Sequence, residues 1–200
     1  TIFKSMYIIN DLINSIKKID INNKNILEIG PGVGNLIRSL SSYFNNNKYY
    51  LIDLDISILF SILNIIHRFP NSKYLLPNEI DDKINNDEYE FVFLTSDQIN
   101  ILNKGSIDIA FNTMSFQEMS FREINKYLDL LRNAMVKENI LYCINAVEKE
   151  MQVNDQSQFI RFSEYSWSNM DKVLKFNLSE VHKNKTLKPF FRKIVNLKII

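Results

Sequence analysis

The residues best suited to chemistry sit in one short stretch, Asn25-Ile26-Leu27-Glu28-Ile29-Gly30-Pro31-Gly32-Val33-Gly34-Asn35-Leu36. Three of the chain's 4 glycines, Gly30, Gly32 and Gly34, fall inside it. Glycine permits positive φ and carries no side chain, so another molecule can approach the backbone closely. The apolar run Ile26–Ile29 reads as a buried strand, and Leu36, Ile37, Leu40, Tyr43 and Phe44 recur at helical spacing. The cluster is therefore a strand–turn–helix corner, with free N–H groups and a positive dipole end at the start of its helix. A dinucleotide fingerprint, G-x-G-x-x-G, fails in both registers because its last position falls on Asn35 or Ile37. No Gly-Lys-Ser/Thr is present for a phosphate loop. Glu28, two residues before the first glycine, would repel a pyrophosphate and suits a ligand with an ammonium group. A bare structural corner is the competing reading, but such a corner seldom needs three glycines and an acid together.

A second acid agrees with a nucleoside-bearing ligand. The run Tyr49–Ile52 reads as a strand ending in Asp53, about 20 residues beyond the glycines, where an acid can accept both hydroxyls of a ribose. Asp55 competes for this role. Asp53 is preferred because it directly ends the apolar run, and Asp55 reads better as a helix cap before Ile56–Ile66.

The elements that must position these residues alternate along the chain. Strands are expected at Lys73–Leu76, Phe91–Thr95, Ile107–Phe111 and Ile140–Ile144, in addition to the first two. Between them lie a helix carrying Leu59, Phe60, Leu63 and Ile66 and another carrying Ile124, Tyr127, Leu128, Leu131 and Met135. Pro77–Glu90 is polar and acidic and reads as a surface loop. Val173–Phe176 and Ile194–Ile199 are expected to close the sheet as an antiparallel pair. The alternation predicts an α/β fold with a doubly wound, mostly parallel sheet, whose ligands bind beyond the strands' C-terminal ends.

Composition sets bounds. The chain has 200 residues, 46% of them hydrophobic and 12% aromatic, which suits one domain with a good-sized core. Formal charge is +1 with no basic stripe, which disfavours a nucleic-acid substrate. No apolar run approaches a membrane span. The lone Cys143 lies in an apolar strand and reads as a small core residue, in keeping with a reducing cytoplasm. The chain starts without Met, inside a helix with Met6, Ile9, Ile13 and Ile16 on one face, which is compatible with a fragment of a longer protein. His67, beside Arg68, reads as surface. His182 is a weaker candidate for the cleft. No His/Asp pair shows metal-ligand spacing.

Glu-x-Gly-x-Gly-x-Gly resembles the first motif of the S-adenosylmethionine (SAM)-dependent methyltransferases. The resemblance implies a Rossmann-like fold of the seven-stranded methyltransferase type, with an antiparallel C-terminal hairpin. It places Glu28 near the methionine end of SAM, the glycines Gly30, Gly32 and Gly34 beneath it, and Asp53 on the ribose. After the Phe91–Thr95 strand it offers Asp97 and Gln98 for the adenine amino group, with an apolar neighbour against the ring. A turn or helix cap is the alternative for Asp97. The segment Asn112-Thr113-Met114-Ser115-Phe116-Gln117-Glu118-Met119 resembles the signature of a bacterial subgroup, the sugar O-methyltransferases. Leu51-Ile52-Asp53-Leu54, Phe93-Leu94-Thr95-Ser96-Asp97-Gln98 and Glu164-Tyr165-Ser166-Trp167 are similar too. The subgroup's pattern would put proline where Asp55 stands.

That resemblance implies transfer of a methyl group to a hydroxyl of a sugar or glycoconjugate. Other readings are a different small-molecule acceptor or a non-catalytic SAM-binding scaffold. A hydroxyl must lose its proton during attack, which calls for a base. Glu118 is the candidate base, with Gln117 and Asn112 orienting the substrate. Glu118 could also simply favour a helix's first turn. Tyr165 and Trp167 could stack on a sugar, but core packing is the better expectation for both.

Overall fold

Buried parallel strands are apolar on both faces and need no alternation. That property explains why the strands are the most legible elements. The computed structural model describes residues 2–16, 19–80, 84, 88–153, 156–179 and 189–199. His182 lies outside the described residues. Strands β1 (Asn25–Ile29), β2 (Lys48–Asp53), β3 (Tyr74–Leu75), β4 (Phe91–Thr95), β5 (Ile107–Thr113), β6 (Met135–Ala146), β9 (Lys172–Leu178) and β10 (Phe190–Asn196) form one sheet in the order β3-β4-β2-β1-β5-β6-β10-β9. The pairs from β3 through β6 are parallel, and β10 runs antiparallel to both β6 and β9. The expected antiparallel closing pair is therefore present. The two-residue β3 falls inside the strand expected at Lys73–Leu76 and makes the sheet eight-stranded, one strand more than the seven-stranded type that the resemblance implies.

Helices α1 (Ile2–Ser15), α2 (Asn35–Tyr43) and α3 (Asp55–Arg68) pack with Ile26, Tyr49, Leu51, Phe93 and Phe111 on one face of the sheet. Helix α4 (Phe121–Ala134) packs with Leu27, Ile29, Ile52 and Leu94 on the other. Among the described residues no helix is long and apolar enough to cross a membrane.

Three sequence expectations need correction. In α1 the buried face is Ser5, Ile8, Ile9 and Leu12, and Ile13 faces solvent. In α3 the buried stripe is Ile58, Ser61, Ile62 and Ile65, so Leu59, Phe60 and Leu63 are exposed. Both helices are apolar on more than one side, and i, i+3, i+4, i+7 can be drawn on either. Helix α3 also begins at Asp55 with Leu54 at its cap position and no side-chain cap, so Asp55 sits inside the first turn.

The stretch after β6 that lacked a clear period is a separate hairpin, β7 (Glu148–Val153) with β8 (Gln156–Arg161). Tyr165 is buried against Phe116, Phe121, Phe162 and Trp167, an aromatic cluster that belongs to the core. Cys143 is buried, as expected, and His67 is exposed.

Candidate active site

Sheet register brings the chemistry together. Ile29 lies beside Ile52 on one side and Asn112 on the other, and Asp53 lies beside Thr95. The C-terminal ends of β1, β2, β4 and β5 therefore finish level, where the sheet order reverses direction between β1 and β5. A cleft of about 410 Å³ opens there, lined by Gly30, Gly32, Asp53, Met114, Ser115 and Glu118, with Leu54, Ile99 and Tyr127 as its apolar walls. A shallower depression of about 680 Å³ runs along α4 by Asn100, Arg122 and Asp129, away from the glycines.

The three glycines do different things. Gly30, at φ 68°, passes so close to Ser115 that an added Cβ would come within 2.2 Å of its side chain. Gly34, at φ 71°, is backed by Ser61, 3.3 Å from where a Cβ would stand. These two are glycine because the protein itself crowds them. Gly32, at φ 58°, has nothing within 4 Å, so a side chain there would project into open space beside the cleft. Ser61 further donates to the Gly32 carbonyl at 2.8 Å. The Gly32 N–H donates to Asp53 Oδ2 at 3.1 Å, and the Leu54 N–H to Asp53 Oδ1 at 2.8 Å. Asp53 is thus aimed by backbone into the cleft wall. Burial still raises its carboxyl above the ordinary range against those two hydrogen bonds.

Glu28 lies beneath this cradle with only 2% of its surface exposed. Burial pushes its carboxyl up to about 8, opposed by the Ile37 N–H and the Lys4 ammonium, with Asp53 adding to the rise. The Ile37 N–H belongs to the first turn of α2, so Glu28 serves one of that helix's otherwise free donors. Its Oε2 has no hydrogen-bond partner among the described residues. A buried carboxylate oxygen left unmatched is costly, and such groups mark places where a ligand completes the bonding.

On the far side, Asn112 and Gln117 sit under the rim rather than on it. Asn112 is fully buried; its Nδ2 donates to the Ile29 carbonyl at 3.2 Å and to Ser115 Oγ at 2.5 Å. Its Oδ1 accepts from Asn145 Nδ2 at 2.8 Å. Asn145 Oδ1 accepts from the Gln117 N–H at 3.1 Å. Gln117 Oε1 accepts from the Ala146 N–H at 2.7 Å, and its Nε2 donates to Glu118 Oε1 at 3.2 Å. A continuous hydrogen-bonded chain therefore runs from the end of β1 to the Glu118 carboxylate. Glu118 itself is exposed on the cleft rim, paired with Lys149 of β7 at 2.7 and 2.9 Å. Partial burial works the other way, but Lys149 and Gln117 hold its carboxyl below the usual range. Met114 has φ 68°, an uncommon conformation for a residue with a side chain, and lies in the cleft wall.

Asp97 is exposed and accepts from the Thr95 hydroxyl. Gln98 accepts from the Thr95 N–H at 3.0 Å and donates to the Pro77 carbonyl at 2.8 Å. Both shape the turn after β4, while its neighbours Ser96 and Ile99 line the cleft. Sequence reasoning missed Ser61, Tyr127 and Asn145 as site residues. Tyr127 carried a faint signal, a hydroxyl-bearing ring at the cleft end of an aliphatic helix stripe; Ser61 and Asn145 carried none.

No protein-family model and no curated protein matches the chain. Solved structures do. A SAM-dependent methyltransferase from Leishmania major superposes with a TM-score of 0.64 at 11% identity, covering 95% of this chain and 70% of that one. The fold is that of the SAM-dependent methyltransferases. A SAM-dependent methyltransferase from Aquifex aeolicus gives 0.59 at 15% identity over 95% and 89% of the two chains. One from Clostridium acetobutylicum gives 0.59 at 11% identity over 96% and 90%. Within this methyltransferase fold the glycine corner of β1 and α2, the acid ending β2 and the rim after β5 converge on one crevice.

Proposed function

We propose that this chain is a SAM-dependent methyltransferase that transfers the methyl group to a hydroxyl of a sugar or glycoconjugate. The observation that carries the cofactor reading is Glu28, a buried carboxyl at the glycine corner whose Oε2 has no hydrogen-bond partner among the described residues, together with Gly32, whose Cβ direction is open. Those residues fit SAM, whose ammonium would satisfy Glu28 and whose ribose hydroxyls would meet Asp53. Leu54, Ile99 and Tyr127 supply apolar surface for the adenosine, with Asp97 and Gln98 fixing the turn that presents Ile99. SAM supplies a methyl group on a sulfonium, so the leaving sulfur is neutral and needs no acid.

The chain's own residues would then align the acceptor and take its proton. Alignment alone can account for much of the rate. Glu118 is the base within reach of the rim, and a carboxylate freed from Lys149 can accept the hydroxyl proton. Asn112 and Gln117 act through their hydrogen-bonded chain, which fixes Glu118 relative to the end of β1. The hydroxyl acceptor is supported by the likeness of Asn112–Met119 to the sugar O-methyltransferase segment.

The test begins with calorimetric titration of the folded chain with SAM and S-adenosylhomocysteine. Saturable binding that is lost in Asp53→Ala is expected, and transfer of labelled methyl to a sugar panel should then fall at least about a hundredfold in Glu118→Gln. A folded chain that binds neither ligand would sink the reading.

A further inference from the structure

A helix that is apolar all round belongs inside a protein, and one that lies on a surface turns its polar side to water. Helix α3 does neither. Its inner stripe, Ile58, Ser61, Ile62 and Ile65, is buried. Its outer face repeats the helical spacing with Ile56, Leu59, Phe60 and Leu63, which are 75%, 54%, 55% and 68% exposed. No charged side chain interrupts the helix from Ile56 to Ile66, and none of the four exposed residues lines the cleft. Single apolar residues on a surface need no explanation, whereas a contiguous patch marks a binding face. Side chains of this size carry roughly 150–200 Å² each, so four of them, more than half exposed, present on the order of 400 Å². One side of a standard protein interface buries about 800 Å², a little over half of it apolar. The outer stripe matches the apolar share of one such side.

The charges at its two ends select the occupant. Asp55 opens α3 and Arg68 closes it, both exposed and about 20 Å apart along the axis. Arg68 lies over the Phe69 ring at 5.5 Å, a contact that leaves its charge unneutralised. A second α3 laid antiparallel on the first, at a shallow crossing angle of about 20°, keeps both pairs of ends in contact. Asp55 of each copy then meets Arg68 of the other, Phe60 meets Leu63 near the two-fold axis, and the helix dipoles oppose one another favourably. A parallel pair would set like charges together at both ends. An anionic lipid surface calls for cations around an apolar face, and here a carboxylate stands at one end. We propose that the outer face of α3 is an isologous interface with a second copy of this chain, two α3 helices packed antiparallel about a two-fold axis. The proposal is independent of the SAM reading.

Sedimentation velocity on the whole chain, over about 1–100 µM, tests it. Native protein should pass from monomer to dimer in that range. Phe60→Glu and Leu63→Glu should each raise the dissociation constant at least about a hundredfold, with the circular dichroism of the folded chain retained. Asp55→Lys and Arg68→Glu should each weaken association about tenfold, and the two together should restore it to within about threefold. A native chain that stays monomeric throughout overturns the proposal and leaves the stripe to a lipid surface or a different protein. A dimer that Phe60→Glu and Leu63→Glu do not disturb overturns it as well, because the contact then lies elsewhere. A dimer that needs Phe60 and Leu63 but ignores the charge exchange overturns the antiparallel arrangement.

Discussion

Glu28 and Gly32 are the two residues on which the proposed cofactor site turns, and each makes a measurable demand. A carboxyl held near pKa 8 is mostly protonated at neutral pH, whereas an ammonium-bearing ligand prefers it ionised. Binding should therefore expel a proton, read as a buffer-dependent calorimetric enthalpy, and SAM affinity should climb up to about tenfold per pH unit toward pH 8. Glu28→Gln should abolish the proton release and weaken binding. Gly32 makes a different demand, since its absent side chain leaves the cradle open. Gly32→Val should eliminate SAM binding while costing the fold only about 1–2 kcal/mol of left-handed strain. Gly30→Ala should show the reverse pattern. Its Cβ would add a collision with Ser115 to the same left-handed strain, so stability should fall by about 2–5 kcal/mol before any ligand is added. Similar thermal losses for the two variants would show that the glycines do not divide the work in this way.

Elements differ in how far they could be read from sequence, and the reason is the direction of burial. Strands β1, β2, β4 and β5 are buried on both faces, so unbroken apolar runs such as Phe91–Leu94 announced them. Helices α1 and α3 were located, but their inward faces were not, because α3 exposes Leu59, Phe60 and Leu63 opposite its buried stripe. The hairpin β7–β8 escaped notice because charged and amide residues interrupt its apolar ones, as with Glu148 opposite Arg161 and Gln152 opposite Ser157, while Ile160 and Met151 pack against the core. The glycine corner and both acids were legible because glycine is scarce here. The helix behind them hides the residue that steadies the corner. Ser61 is buried, backs Gly34 and bonds the Gly32 carbonyl. Ser61→Ala should lower stability by about 1 kcal/mol through the lost hydrogen bond. If that bond sets the cradle, SAM affinity should drop with it; unchanged affinity would assign Ser61 to packing alone.

At the scale of the whole molecule, two buried ionic arrangements with opposite signs set how stability responds to pH. Arg132 of α4 grips Asp171 through two bonds of 2.6 and 2.9 Å, and Asp171 also accepts from the Ser168 and Lys198 N–H groups. Burial alone would raise the Asp171 carboxyl, but these donors bring it below its ordinary value of 3.8. A depressed folded pKa gives stability that is present above the unfolded value and lost as pH falls through the folded one. Glu28 behaves oppositely. Its folded pKa exceeds the unfolded 4.5, so the free protein loses stability as pH rises from about 5 to 8, by up to about 1.4 kcal/mol per unit. Asp171 joins α4 to the chain after β10 and does not line the cleft, whereas Glu28 belongs to the proposed cofactor site. The two effects should therefore separate by mutation. Asp171→Ala should cost about 3–5 kcal/mol at neutral pH, because it strands a buried guanidinium. Glu28→Gln should instead flatten the decline between pH 5 and 8 and leave the acid limb unchanged. Denaturation curves at a series of pH values would read both slopes. A decline that persists in Glu28→Gln would place its source in another group and remove the argument that this carboxyl is kept, at a cost to the fold, for its ligand.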